Sequence, residues 1–427
     1  MKKTLRGLTV FKHIAERRIG MEKIKGGVTA AGGFFAASAA AGIKYADRTD
    51  MAMIYSKAPC RAAGTFTTNV VKAAPVVWDR EIVEKSEYVH AVVVNAGIAN
   101  ACTGEEGLSY CRKTADAASE QLGILKEEVL VASTGVIGVQ LPMDKLVFGV
   151  KEMAGKLEAS ERAGREAALA IMTTDTHEKE AAVAFEAGGV KVTVGGMCKG
   201  SGMIHPNMCT MLSFLTTDLA ISKELLQEAL REDIKDTYNM VSVDGDTSTN
   251  DTVLLLANGT AKNPEITEKN ADYQAFCKAL RMVNTMLAKQ MAGDGEGATA
   301  LFEVKILGAE TKEQARILSR SVVSSNLTKA AVYGHDANWG RILCAMGYSG
   351  APFDPEKIDL FFESAAGRIQ IMKEGVAVDY SEEAATEILS KPEVTAVADL
   401  KTGAYEATAW GCDLTYDYIK INADYRS

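Results

Sequence analysis

Apolar β-branched runs and amphipathic helical runs mix along this chain in no regular order, and that disorder of elements constrains the fold more than any single motif. Strand-like runs fall at residues 88–94, 129–132, 191–194, 253–256, 301–307 and 360–362. Ser222 stands in a capping position before the stripe Leu225, Leu226, Ala229, Leu230 and Ile234. Phe276, Leu280, Val283, Leu287 and Met291 recur at helical spacing. Thr311 with Gln314 predicts a capping box opening a further helix. No βαβ rhythm emerges, no GxGxxG follows a strand, and no GxxxxGK[ST] occurs, so neither a Rossmann fold nor a phosphate loop is expected. The expected class is α+β, with layered mixed sheets covered by helices. At the chain end, Tyr416, Tyr418 and their alternating neighbours predict a pinned strand over 414–422.

At 427 residues the chain is long enough for two or three domains at about 100–200 residues each. The net charge of −9, without long basic stretches, argues against nucleic acid or anionic membranes as partners. The eight cysteines form no CxxC pair, and the five histidines form no HxH or HExxH, so no metal site is expected. The cysteines read as free thiols of a cytoplasmic protein. Residues 26–43 carry no charge, but Ala and Gly dominate them. They are too weakly apolar and slightly too short for a membrane span, and they read as a small-residue loop and strand at a crowded place. Residues 1–20 are basic. One reading makes Met21 the true start and 1–20 a translated leader, since Glu16-Arg17-Arg18 fits purine-rich codons of a ribosome-binding sequence; the other makes them a genuine basic tail. Arg17 and Arg18 codons other than AGG would exclude the leader.

Seven segments are dense in Gly, Asn, Asp, Ser and Thr: 94–104, 133–138, 173–176, 199–212, 244–251, 293–299 and 336–341. Following or opening apolar runs, they suggest polar loops converging on one site. A Ser/His/Asp set is hard to assemble: there is no GxSxG, and His205, the best histidine candidate, sits in a turn beside Pro206. A threonine activated by its own free α-amine needs no histidine, because that amine titrates near neutrality. The Gly-rich turn before Thr210 could strain the Cys209–Thr210 peptide toward attack by the Thr210 hydroxyl, and the Thr134-Gly135 turn could supply oxyanion donors. Local reasoning alone does not single out Thr210 among the threonines.

From about Gly26 to Ser427 these segments resemble the ornithine acetyltransferase (glutamate N-acetyltransferase) family of arginine biosynthesis. The resemblance rests on Gly-Gly-Val-Thr-Ala near the start, Phe66-Thr67-Thr68-Asn69, Asn-Ala-Cys-Thr-Gly, Ser-Thr-Gly-Val-Ile-Gly, Thr-Thr-Asp-Thr and Lys-Gly-Ser-Gly-Met-Ile-His-Pro-Asn-Met. Asp-Gly-Asp-Thr-Ser-Thr-Asn-Asp, Gly-Glu-Gly-Ala-Thr, Asp-Ala-Asn-Trp-Gly-Arg and the tail from Cys412 to Tyr418 complete it. It implies a self-cleaving acyltransferase of N-terminal-nucleophile type, cut between Cys209 and Thr210. Residues 1–25 would then be leader or tail, 26–209 an α chain, and 210–427 a β chain opening on the nucleophile. It further implies an oxyanion hole at Thr134 and Gly135, and substrate contacts at Thr173, Lys199, Thr210, Glu296, Asn422 and Ser427. The implied reaction is ping-pong transfer of acetyl from N2-acetylornithine to L-glutamate through acetyl-Thr210, in a cytoplasmic α2β2 assembly and with no cofactor. Whether acetyl-CoA is a second donor stays open.

Two positions depart from the family pattern: Cys209 stands where alanine is usual, and Ile98 where asparagine is usual. The second puts the hydrogen bonding near the oxyanion region in question. Two competing readings are an N-terminal-nucleophile amidase or aminopeptidase, transferring the acyl group to water, and a non-catalytic binding protein with an intact chain.

Overall fold

A computed structural model describes residues 20–44, 46–205 and 211–423. Residues 1–19 are outside it, and with them nearly all of the segment read as leader or tail. The strands in chain order are β1 (Glu22–Ile24), β2 (Phe34–Ala39), β3 (Met51–Phe66), β4 (Val89–Ile98), β5 (Val129–Val136), β6 (Lys179–Ala187), β7 (Val190–Lys199), β8 (Leu212–Thr217) and β9 (Val241–Ser242). They continue as β10 (Thr252–Ala257), β11 (Leu301–Ala309), β12 (Asp359–Ser364), β13 (Gly367–Lys373), β14 (Val376–Ala377), β15 (Glu393–Asp399) and β16 (Tyr405–Cys412). Every strand-like run read from the sequence overlaps one of them, and all but Tyr88 of the run 88–94, which precedes β4, lie within the strands.

Among the described residues the strands form two mixed sheets. A nine-stranded sheet runs β1-β6-β7-β8-β10-β3-β4-β5, with β2 also on β3. A seven-stranded sheet runs β14-β13-β12-β15-β11-β16-β9. The β8–β10, β4–β5, β11–β15 and β16–β9 pairs are parallel and the others antiparallel. The α+β expectation holds.

The helix Ala271–Gly293 packs on β6 and β7 and also on β11 and β16, so it lies between the sheets. The predicted stripe Phe276, Leu280, Val283, Leu287 and Met291 is wholly buried there. Helices Glu106–Leu122 and Met143–Ala154 cover one face of the β2–β5 end, where Met51, Met53, Val93 and Val131 meet Cys111, Ala115 and Val150. Ser222 caps the helix Lys223–Ile234 by accepting the Leu225 N–H. Thr311 accepts the Gln314 N–H, but Gln314 Oε1 reaches back to the Glu310 N–H, so the box closes one residue earlier than predicted. The small-residue stretch is crowded as expected: a Cβ on Gly195 would lie 2.1 Å from the Gly27 carbonyl oxygen.

The predicted terminal strand is a helix, Tyr416–Ala423. Asp413 turns the chain out of the sheet after β16, since its Oδ1 accepts the Thr299 and Ala300 N–H groups at 2.8 and 3.1 Å. The Thr415 hydroxyl then accepts the Tyr418 N–H at 3.3 Å, as a cap does. Alternation of large residues over so short a stretch does not separate strand from helix without a sheet edge to pair with.

Candidate active site

The parallel strands β4 and β5 end side by side, with Ala96 opposite Thr134 and Gly97 opposite Gly135. Gly97 and Gly135 have φ of +105° and +130°, a region that favours glycine. Their close approach leaves the Thr134-Gly135 edge facing a cavity of about 320 Å³. Asn250, from the loop before β10, ties this edge down: its Nδ2 donates to the Ser133 carbonyl at 2.7 Å and to the Ala99 carbonyl at 2.5 Å.

The cavity brings together Thr134, Gly135, Thr173, Lys199, Glu296 and Asn422, residues from four of the polar segments and from the terminal helix. Thr210, Cys209 and Ser427 lie outside the described residues. Met211, the residue after Thr210 in the sequence, lines the same cavity immediately before β8. Sequence reasoning did not single out Asp251, Asn250 or Thr174 as individual residues. They sit in two of the polar segments, whose composition marks a loop without saying which side chain turns inward.

Lys199 is buried at the end of β7, where a lysine beside glycines would ordinarily be read as exposed. Its Nζ donates to Thr173 Oγ1 at 2.8 Å and to Thr134 Oγ1 at 3.4 Å, and lies 3.9 Å from Asp175 Oδ2. Burial pulls its ammonium below the ordinary lysine range and Lys179 adds to this, while Asp175, Glu296 and Asp251 oppose it. Asp251 faces the same space, and burial drives its carboxyl well above the usual range against the Ser248 hydroxyl and Lys199. Its Oδ2 has no hydrogen-bond partner among the described residues.

Glu296 is held in place from two sides. Its N–H donates to the Ser201 carbonyl at 2.8 Å, and its Oε2 accepts from Asn422 Nδ2 at 2.7 Å. A Cβ on Gly202 would lie 2.3 Å from the Glu296 carboxylate, so the glycine there makes room for the acid. Asn422 comes from the terminal helix, which reaches the site without burying a residue of its own.

Ile98 is buried among Ala39, Met51 and Val131 and does not line the cavity, so its departure from the family pattern removes no polar group from this wall. His205 stands apart as well. Arg320 donates to its Nε2 at 3.0 Å, Ser242 bonds its Nδ1, and burial together with Arg320 pulls its pKa down to about 4. No group of described residues could hold a metal ion, and no described helix is long and apolar enough to cross a membrane.

A cation, a carboxylate, hydroxyls and the strand-end glycine line one enclosure of amino-acid size. Such a lining suits a zwitterionic ligand and an oxyanion formed beside Gly135.

Comparison with known proteins gives one consistent result. The family described as the ArgJ family matches residues 35–427. An arginine biosynthesis bifunctional protein ArgJ of Symbiobacterium thermophilum is 55% identical over 95% of this chain and 100% of its own. Arginine biosynthesis bifunctional protein ArgJ 1 of Clostridium acetobutylicum is 52% identical over 92% of this chain and 96% of its own. Among solved structures, ornithine acetyltransferase complexed with ornithine from Mycobacterium tuberculosis is 42% identical, covering 44% of this chain and 99% of that one with a TM-score of 0.41.

Proposed function

The chain belongs to the ArgJ family, enzymes of acetyl transfer in arginine biosynthesis, and we propose that it moves acetyl from N2-acetylornithine to L-glutamate through an acetyl-Thr210 intermediate. The observation that carries this reading is the cavity: Lys199 and Glu296 share it with the Thr134-Gly135 edge and with Met211, one residue from Thr210.

In this reading the chain first cuts itself. The Thr210 hydroxyl attacks the Cys209 carbonyl, its proton passes to the departing amide nitrogen, and water hydrolyses the resulting ester. The free α-amine of Thr210 then serves as base. It takes the proton from the Thr210 hydroxyl as the oxygen attacks the acetyl carbonyl of N2-acetylornithine, and returns it to the leaving nitrogen as ornithine departs. Glutamate enters the same space, and its α-amine attacks the acetyl ester, giving N-acetylglutamate and free Thr210.

The Gly135 N–H and the Thr134 hydroxyl stabilise the oxyanion in each tetrahedral step. The Thr134 oxygen already accepts from Lys199, which leaves its hydrogen free to donate. Lys199, with Thr173 beside it, takes the α-carboxylate common to both substrates, and Glu296 with Asn422 takes an ammonium or amide at the other end. Ser427 joins the substrate contacts from the chain terminus. The enzyme works in the cytoplasm as an α2β2 assembly of its two chains, with no nucleic acid or membrane partner.

Purified protein should give, by mass spectrometry, a β chain beginning Thr210-Met211-Leu212. It should release ornithine from N2-acetylornithine at a sustained rate only when glutamate is present, and T210A should remain uncut and inactive. Sustained release in glutamate-free buffer would instead make the enzyme an amidase. Because the relatives are named bifunctional, acetyl-CoA with glutamate belongs in the same assay as a second donor.

A further inference from the structure

Behind the cavity wall lies a row of four buried charges, of which only Lys199 reaches the cavity. Lys179, with no exposure to solvent, donates to Asp175 Oδ1 at 2.7 Å and to Asp294 Oδ2 at 2.5 Å. Asp175 also accepts the Gly200 N–H at 2.6 Å and the Thr173 N–H at 3.1 Å, and it stands 3.9 Å from the Lys199 ammonium. Asp294 accepts the Thr176 N–H at 3.0 Å and also the Thr176 hydroxyl. Two carboxylates and two ammonium groups alternate, so each buried charge has an opposite neighbour, as charges out of water require.

The row also joins distant parts of the sequence. Lys179, Asp175 and Lys199 precede residue 209, whereas Asp294 follows it at the end of the helix Ala271–Gly293. Glu296 is two residues beyond Asp294, and its N–H is held by Ser201, whose hydroxyl bonds Thr174 at 2.7 Å. Both charged side chains of the cavity wall assigned to substrate therefore hang from one scaffold.

The geometry points to Lys179, Asp175 and Asp294 as a positioning network for substrate binding. It fixes Lys199 relative to Glu296 across the two proposed chains, and it supplies the buried negative charge that lets Lys199 meet a substrate carboxylate as an ammonium. This rests on the assignment of Lys199 to the substrate carboxylate made above.

The sign of the effect follows from the groups around Lys199. Asp175 and Lys179 face it from the 173–179 stretch, Glu296 from beyond the long helix, Asp251 from the loop before β10, and the Cys198 thiol sits beside it in the chain. Asp294 faces Lys179 and, at 3.4 Å, His177. Burial disfavours the Lys199 ammonium, and the carboxylates sustain it. Removing one negative charge from the row leaves Lys179 drawing more strongly on Asp175, so Lys199 loses its proton at lower pH.

The test uses full-length D294N and D175N, with L-ornithine binding followed by calorimetry from about pH 6 to about pH 10 alongside steady-state kinetics. The alkaline limit of ornithine binding should move down by about one pH unit in D294N and farther in D175N. At about pH 8, KM for N2-acetylornithine and for glutamate should rise roughly tenfold together, with kcat changed by less than about twofold. D294E, which keeps the charge, should leave the limit where it is. A lowered Tm with an unmoved limit would overturn the proposal, and so would failure of both asparagine variants to fold, since the row would then serve the fold alone. K199M separates this inference from its premise: ornithine binding undiminished in K199M would remove Lys199 from the substrate site. Binding lost in K199M with the D294N limit unmoved would defeat the network alone.

Discussion

Gly135 stands so close to Gly97 on the adjoining strand that a Cβ at 135 would lie 2.2 Å from the Gly97 carbonyl carbon. The contact brings the end of β5 against β4 and leaves the Thr134-Gly135 edge turned toward the cavity.

Substitution at this edge separates backbone from side chain. G135A meets both the clash and a φ of +130°, a conformation that costs about 1–3 kcal/mol before the clash is counted. It should lower the melting temperature and leave the chain largely uncut. T134A keeps the backbone and should melt near wild type, yet lose about 10²–10³ in kcat and slow its own cleavage, as removal of one oxyanion donor does. Gel electrophoresis of freshly purified protein, differential scanning calorimetry and steady-state rates read all three effects. Normal processing and turnover in T134A would take its hydroxyl out of the reaction.

Asn422 offers a test of the terminal helix. Its amide donates to Glu296 at 2.7 Å, from a helix that buries none of its residues. N422A should therefore fold and be cleaved as wild type, with stability within about 0.5 kcal/mol. A hydrogen bond to a charged group contributes about 1.5–3 kcal/mol, so kcat/KM should fall roughly ten- to hundredfold for acetylornithine and glutamate alike, mainly through KM. If one substrate is affected and the other is not, the two do not share this end of the cavity.

Asp79 sets a pH dependence unrelated to the site. It is buried beneath β5, its Oδ1 accepts the Val131 N–H at 2.7 Å, and its Oδ2 has no partner among the described residues. Burial drives its carboxyl well above the usual range, with the Val131 N–H opposing. The folded chain thus holds a proton that the unfolded chain has already released, and stability falls as pH rises through the folded-state pKa. D79N cannot ionise. Its melting temperature relative to wild type should become more favourable as pH rises above the ordinary carboxylate range and level off above the folded-state pKa, after a constant offset for the amide hydrogens it introduces. A difference that stays flat with pH would acquit Asp79 of this titration.

What could be read from the sequence follows the range of the forces involved. The stripe from Phe276 to Met291 was legible because burial of one helix face repeats within the segment itself. The caps at Ser222 and Thr311 were legible because a hydroxyl and an amide three residues on make a local bond. Lys179 carried no such mark: its two carboxylates are 4 and 115 residues away, and a wholly buried lysine spells the same as an exposed one. The Thr134-Gly135 turn could be read only as a possible source of oxyanion donors, and Lys199 and Glu296 were named through family resemblance, since only the assembled sheets bring them into one cavity. The terminal segment misled because alternation implied a sheet edge, while the carboxylate of Asp413 had already turned the chain away.

The strand β8 begins within two residues of the proposed cut, and it is hydrogen-bonded on one side to β7 and on the other to β10. Breaking the chain there would remove one covalent link and leave both ladders in place, so the native form would scarcely register its own scission. The unfolded form would register it fully. Two fragments set loose must find each other before β8 can regain its neighbours, which turns a unimolecular search into one that slows on dilution. Maturation would then act as a ratchet: the precursor is the foldable species, and the working enzyme keeps its architecture by never fully letting go of it.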